Sequence, residues 1–187
     1  AADDEKEYVL TATAINEGDE ELIKNDDDWK TTAGLGAYNG NIYILDKKEG
    51  ILKFTAGSDE YGKSSYFSGD SPSLTSASGM GIDGSIYVIF SDGKIKKYTK
   101  GKEESFVISG LPMPFASPKQ LVTGTEMDSL YILDSGNSRV VKLSKDGAFE
   151  KAWKADGLGT TNFIDVQEDE KKIYFLKGKN LFMISME

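Results

Sequence analysis

Four short apolar runs recur along the chain, each with a tyrosine in the same place: NIYILD, SIYVIF, LYILD and KIYFLK. Their tyrosines, Tyr43, Tyr87, Tyr131 and Tyr174, lie 44, 44 and 43 residues apart. Three near-equal spacings in 187 residues mark an internal repeat. The runs are rich in Ile, Val, Leu and Tyr. They are nearly continuous rather than alternating, which is the pattern of a strand buried on both faces.

Each run sits in the same setting. A small or apolar segment precedes it (AGLGAYNGN, SGMGIDGS, QLVTGTEMDS, NFIDVQEDEKK), closed by Gly, Asn, Asp or a charge cluster that makes a turn. A short polar turn follows: DKKEG, SDG, DSGNSR or KGKN. Then comes a second apolar run, ILKF, IKKY, VVKL or LFMI. Three units continue into a further strand-like piece, SSYFSG, ESFVISG or FEKAWKA. No stretch of about ten residues reads as helical. A unit is therefore up to four short strands joined by tight turns. A four-stranded sheet repeated every ~40–50 residues, with both faces covered by its neighbours, is a β-propeller blade.

The expected fold is an all-β propeller of about four four-stranded blades in a single domain, 1–187. The blades centre on residues 34–69, 78–110, 117–155 and 161–187. The tyrosines are expected on equivalent strands, packed between blades. The last blade stops after its third strand, LFMISM. EELIKN, residues 20–25, fits the gap, because Ile23 precedes Tyr43 by 20 residues as Phe67 precedes Tyr87. A strand from within residues 7–25 is thus expected to close the ring without free edges. EYVLTATAI also alternates as a strand does, which leaves other arrangements open. It is the closing strand itself, or an extra edge strand, or the chain belongs to a longer propeller, or two chains complete a larger ring.

The segment LYILDSGNSRVVKLSKDGAF resembles an NHL repeat: a strand, then D-x-x-N-x-R, a second strand and a DG turn. Asp134, Asn137 and Arg139 match that motif. The blade of Tyr43 keeps Asp46 but has Lys48 and Glu49 in place of Asn and Arg, and the blade of Tyr87 lacks all three. As architecture the whole chain is similar to the NHL, TolB and SMP-30-like propellers. The resemblance implies that Asp134 and Asn137 brace the turn and that Arg139 bridges to a neighbouring strand or blade. It also implies two further settings, an SMP-30-like lactonase with a divalent metal, and an ectodomain of a larger bacterial membrane protein, which would be extracytoplasmic.

Charge and composition narrow the chemistry. Lys and Arg number 22 against 31 Asp and Glu, a net charge of −9, which opposes binding to a phosphate backbone. Without Cys there is no thiol nucleophile, disulfide or thiolate metal site. Without His the commonest general base and metal ligand are missing. No apolar run is long enough to span a bilayer, so no membrane insertion by this segment is expected. The acidic clusters NDDD, Asn25 to Asp28, and QEDE, Gln167 to Glu170, carry the oxygen ligands that Ca²⁺ takes, without an EF-hand pattern. They read as solvated turns, and no cofactor is expected.

On a propeller the links between blades and the middle hairpins share one end. Here the links hold Trp29, Met113 and Phe115, and the third blade's hairpin brings Asp134, Asn137 and Arg139 beside them. Pro112, Pro114 and Pro118 stiffen one link. The expectation is a non-enzymatic module that presents this loop face, through those six residues, to a protein, peptide or glycan.

Overall fold

A computed structural model describes residues 30–57 and 61–186. Trp29, the NDDD cluster and the closing strand expected within residues 7–25 lie outside the described residues.

Four antiparallel sheets follow one another in chain order as the blades of a β-propeller, without an α-helix among the described residues. Blade 1 is β1 (Thr32–Tyr38), β2 (Asn41–Asp46), β3 (Gly50–Ala56) and β4 (Tyr61–Ser65). Blade 2 is β5 (Ala77–Ile82), β6 (Ser85–Phe90), β7 (Ile95–Thr99) and β8 (Lys102–Glu104). Blade 3 is β9 (Pro118–Val122), β10 (Ser129–Asp134), β11 (Arg139–Ser144) and β12 (Phe149–Lys154). Blade 4 has three strands, β13 (Ile164–Val166), β14 (Lys172–Lys177) and β15 (Asn180–Ser185). The four apolar runs are the second strands, β2, β6, β10 and β14; the first three are buried almost continuously, whereas β14 buries only Ile173 and Phe175.

The tyrosines occupy equivalent strand positions, and Tyr43, Tyr87 and Tyr131 point the same way, each toward the next blade. Tyr43 joins Met80, Ile82, Val88 and Tyr98 of blade 2 in one cluster. Tyr87 meets Leu130, Ile132 and Val141 of blade 3. Tyr131 meets Ile164, Ile173 and Phe175 of blade 4. Tyr43, Tyr87 and Tyr131 are buried, whereas Tyr174 is half-buried. The residues that alternate with them along each strand face backwards, so every blade has a tyrosine-bearing front and a back of Ile, Val, Leu or Phe.

Inner strands converge on the axis, where there is least room. A Cβ on Gly34 would lie 3.0 Å from that of Met80, and one on Gly36 would lie 2.9 Å from Ile82 Cγ2. Glycine lets β1 and β5 pass at that distance.

The outer strands differ from the sequence reading. The apolar residues of SSYFSG and ESFVISG were expected in strands, yet β4 ends at Ser65 and β8 at Glu104. Tyr66, Phe67 and Phe106 follow those strands and fold under the blades as packing groups. Only in blade 3 does the expected piece, around Trp153, form the outer strand itself.

Strand polarity sorts the loops. The links and the second-to-third-strand turns share one end, the link face. The turns after the first and third strands share the other, the turn face.

Candidate functional site

The link face is built around a buried polar latch. Asp134 ends β10 with no exposed surface, and Arg139 opens β11 at 3% exposure. The Asp134 Oδ2 accepts hydrogen bonds from Arg139 Nε and Asn137 Nδ2, both at 2.7 Å. Its Oδ1 accepts one from the Ala116 N–H at 2.8 Å. Arg139 Nη2 donates to the carbonyls of Met113 at 2.7 Å and Pro114 at 3.1 Å, and Asn137 donates to Pro114 at 3.0 Å. A buried ion pair is tolerable only when its remaining donors and acceptors are satisfied, and here the main chain of residues 113–116 does that.

The latch thereby fixes the link between blades 2 and 3. Phe115 is half-buried against the blade 2–blade 3 core, with the Arg139 guanidinium 5.8 Å from its ring centre. Met113, between two exposed prolines, projects at 38% exposure. The structure therefore brings Met113, Phe115, Asp134, Asn137 and Arg139 together. Trp29 lies outside the described residues.

Blade 1 repeats half of the device. Asp46 is fully buried and accepts hydrogen bonds from the Thr31, Lys48 and Glu49 amides and the Thr31 hydroxyl. Burial pushes its carboxyl up, but those hydrogen bonds outweigh it and hold the pKa below the ordinary carboxylate value. Phe90 and Lys177 stand at the equivalent positions of blades 2 and 4, which have no such latch.

A second feature opens on the turn face. The free edges of β1, β5, β9 and β13 surround a groove of about 700 Å³, lined by Leu35, Ala37, Gly81, Thr123, Asp165 and Glu168 among others. Gln120 shows what those edges demand. Its carboxamide accepts from the Ile164 N–H at 2.7 Å and donates to the Ile164 carbonyl at 3.0 Å, acting as a neighbouring strand would. Sequence reasoning missed the groove because its walls are backbone edges and small residues. The one signal was the run of glycines in TAGLGAY and ASGMGI.

The QEDE cluster has another use. Glu170 accepts from the Ser129 N–H at 2.9 Å and hydroxyl at 3.2 Å, and lies 3.2 Å from Lys142 Nζ. Burial raises the Glu170 carboxyl, but Lys142 outweighs it and the net shift is downward. Burial likewise opposes the Lys142 ammonium, yet Glu170 and Glu150 hold its pKa above the usual value. Glu170 thus stitches blade 4 to blade 3. Lys145 does the same between blades 2 and 3, donating to Asp83 and to Thr123 Oγ1. Among the described residues no three acid side chains converge as a metal site. No helix among them is long and apolar enough to cross a membrane.

No family model and no curated protein matches the chain by sequence. Solved structures match its fold. Hydrazine synthase of Kuenenia stuttgartiensis is similar with a TM-score of 0.59 and 9% identity, over 90% of this chain and 50% of that one. A chain of a nidogen/laminin complex is similar with a TM-score of 0.52 and 15% identity, over 81% of this chain and 57% of that one. The chain spans only about half the length of the structures it matches. At these identities the likeness shows the propeller fold alone.

Proposed function

We propose that this chain is a non-enzymatic propeller of the NHL-like kind that binds a protein partner through its link face. The observation that carries this reading is the latch. Six hydrogen bonds from Asp134, Asn137 and Arg139, one of them an ion pair, reach the main chain of residues 113–116, or each other, to hold one exposed loop. Holding a loop rigid before binding removes the ordering cost that a flexible one carries. Met113 is the adaptable apolar group at its tip, with half-buried Phe115 beneath. One structural relative belongs to a complex between two proteins, nidogen and laminin, which supports a protein as the partner class.

The test compares three immobilised forms of the protein with matched melting temperatures: wild type, Met113→Asp, and Asn39→Asp on the turn face. Partners captured by wild type and identified by mass spectrometry should be lost with Met113→Asp and kept with Asn39→Asp. Equal capture by Met113→Asp would remove the link face from consideration.

A further inference from the structure

The seams between consecutive blades are not filled alike. Between blades 1 and 2, Phe67 packs edge-on to Tyr98 with ring centres 5.1 Å apart. Between blades 2 and 3, Phe106 and Phe149 pack against the core that contains Leu143. Between blades 3 and 4 a cavity of about 220 Å³ remains, walled by Trp153 and Met186. It opens on the flank of the molecule and shares no lining residue with the groove on the axis.

Tyr131 lies at the base of this cavity. Its side chain is completely buried, and its hydroxyl has no hydrogen-bond partner. A buried hydroxyl left unpaired costs stability. Burial, and then the negative charge of Glu170 and Glu150, push the pKa of the phenol up. The phenol therefore stays protonated at neutral pH and is an unused donor.

The rim carries both signs of charge. Lys142 lies 3.3 Å from Glu150 and 3.2 Å from Glu170, and Lys151 stands 5.0 Å from the ring centre of Trp153. Two ammonium groups thus balance two carboxylates. A charged ligand would be attracted by one pair and repelled by the other. A hydroxyl meets no such conflict, because it donates to a carboxylate and accepts from an ammonium or a phenol. Several hydroxyls on one small ring answer the whole rim. The wall of Trp153 adds an aromatic face, which suits the apolar C–H face of such a ring. Lys151 is exposed and free to swing off that face. The cavity is smaller than the ~300–1,000 Å³ of pockets for drug-sized ligands, which limits the occupant to a single ring.

We infer that this flank cavity binds one neutral sugar residue, with its C–H face on Trp153 and its hydroxyls shared among Lys142, Glu150, Glu170 and the Tyr131 hydroxyl. A free monosaccharide and the end of a glycan chain present the same chemistry. The inference is independent of the link-face reading, since it uses neither Met113 nor the latch.

The probes are the methyl glycosides of glucose, galactose, mannose and N-acetylglucosamine, with the disaccharides that end in each. They are titrated into the full chain and followed by its amide and indole NMR signals. At least one methyl glycoside should saturably shift the Trp153 indole N–H and the amides of Lys142, Glu150 and Glu170. Tighter binding of the matching disaccharide would identify a glycan end as the source, and equal binding a free sugar; both sustain the site. Tyr131→Phe should weaken the binding about five-fold, the worth of one hydrogen bond, while melting at or above the wild-type temperature. A phenol with only a structural role would change the melting alone. No saturable shift with any glycoside, shifts confined to the axial groove or the link face, or undiminished binding by Tyr131→Phe would each overturn the inference. So would a response to tetramethylammonium or acetate without one to the sugars, which would make this a site for a charged ligand.

Discussion

Tyr131 and Tyr174 occupy the same place in adjacent blades, yet Tyr131 is fully buried and Tyr174 stays half-exposed. Their own strands do not differ enough to explain it, since LYILD and KIYFLK are near-copies. The difference lies in what stands in front. Tyr131 has Trp153 from its own blade and Ile173 and Phe175 from the next. Among the described residues Tyr174 has neither. In a propeller, then, a repeated residue contributes stability only where the repeat after it is present. That is the nearest-neighbour logic of repeat proteins bent into a ring.

The widest gap between the two regions should come from truncating those rings. Tyr131→Ala removes a fully buried aromatic and should cost about 3–5 kcal/mol in chemical denaturation. Tyr174→Ala should cost roughly 1 kcal/mol, in keeping with partial exposure. Equal losses at the two positions would mean that blade 4 is as well covered as blade 3.

The latch gives the next contrast. Asp134→Ala leaves Arg139 charged, buried and without its carboxylate, and should cost about 3 kcal/mol or more. Lys177→Ala, at the equivalent position of blade 4, should fall within about 0.5 kcal/mol of wild type. The same Asp134 variant should loosen residues 113–116, seen as faster amide exchange there.

A smaller effect lies at the seam between blades 3 and 4, and it depends on pH. The Glu170 carboxyl is held below its ordinary value of 4.5, so the folded state binds its proton less readily than the unfolded chain does. Its contribution is therefore complete above that ordinary value and is lost as pH falls through the lower folded value. Asp46 acts in the same direction in blade 1. Glu170→Gln should lower stability by roughly 1 kcal/mol at neutral pH and flatten the decline on acidification. An unchanged acid limb in urea melts from pH 7 to pH 3 would remove Glu170 from the seam.

Much of this architecture is legible without coordinates, and what is not has a common cause. The second strands of blades 1 to 3 declare themselves because both faces are buried, which leaves an unbroken apolar run, and β14 keeps that run although its front is exposed. The Tyr spacing and the match of Asp134, Asn137 and Arg139 to a known turn are local features, and they locate the hairpin that forms the latch. The outer strands are not legible. β4 and β8 are almost wholly exposed, so polar residues form them, while the apolar residues just after them pack in the links. The central groove is made by backbone edges, which carry no side-chain signature. Glu170 reads as part of a solvated acidic turn, because its partners Ser129 and Lys142 lie in another blade.

The finest comparison sets the stacked rings of blade 3 against those of blade 4 in double-mutant cycles. Tyr131 and Trp153 stack with ring centres 6.4 Å apart, and Phe175 and Phe182 with ring centres 5.5 Å apart. Paired aromatic rings are worth ~0.5–1.5 kcal/mol beyond the area they bury, so Tyr131→Ala and Trp153→Ala should couple by about 1 kcal/mol. Phe182 is 39% exposed, so water competes for one face of the blade 4 pair. Phe175→Ala and Phe182→Ala should therefore couple by about 0.5 kcal/mol, near the level at which independent sites add without coupling. The control is Tyr174→Ala with Phe182→Ala, on opposite faces of the sheet, where the two losses should simply add. A coupling in blade 4 as large as that in blade 3 would mean that exposure of Phe182 does not weaken its stack.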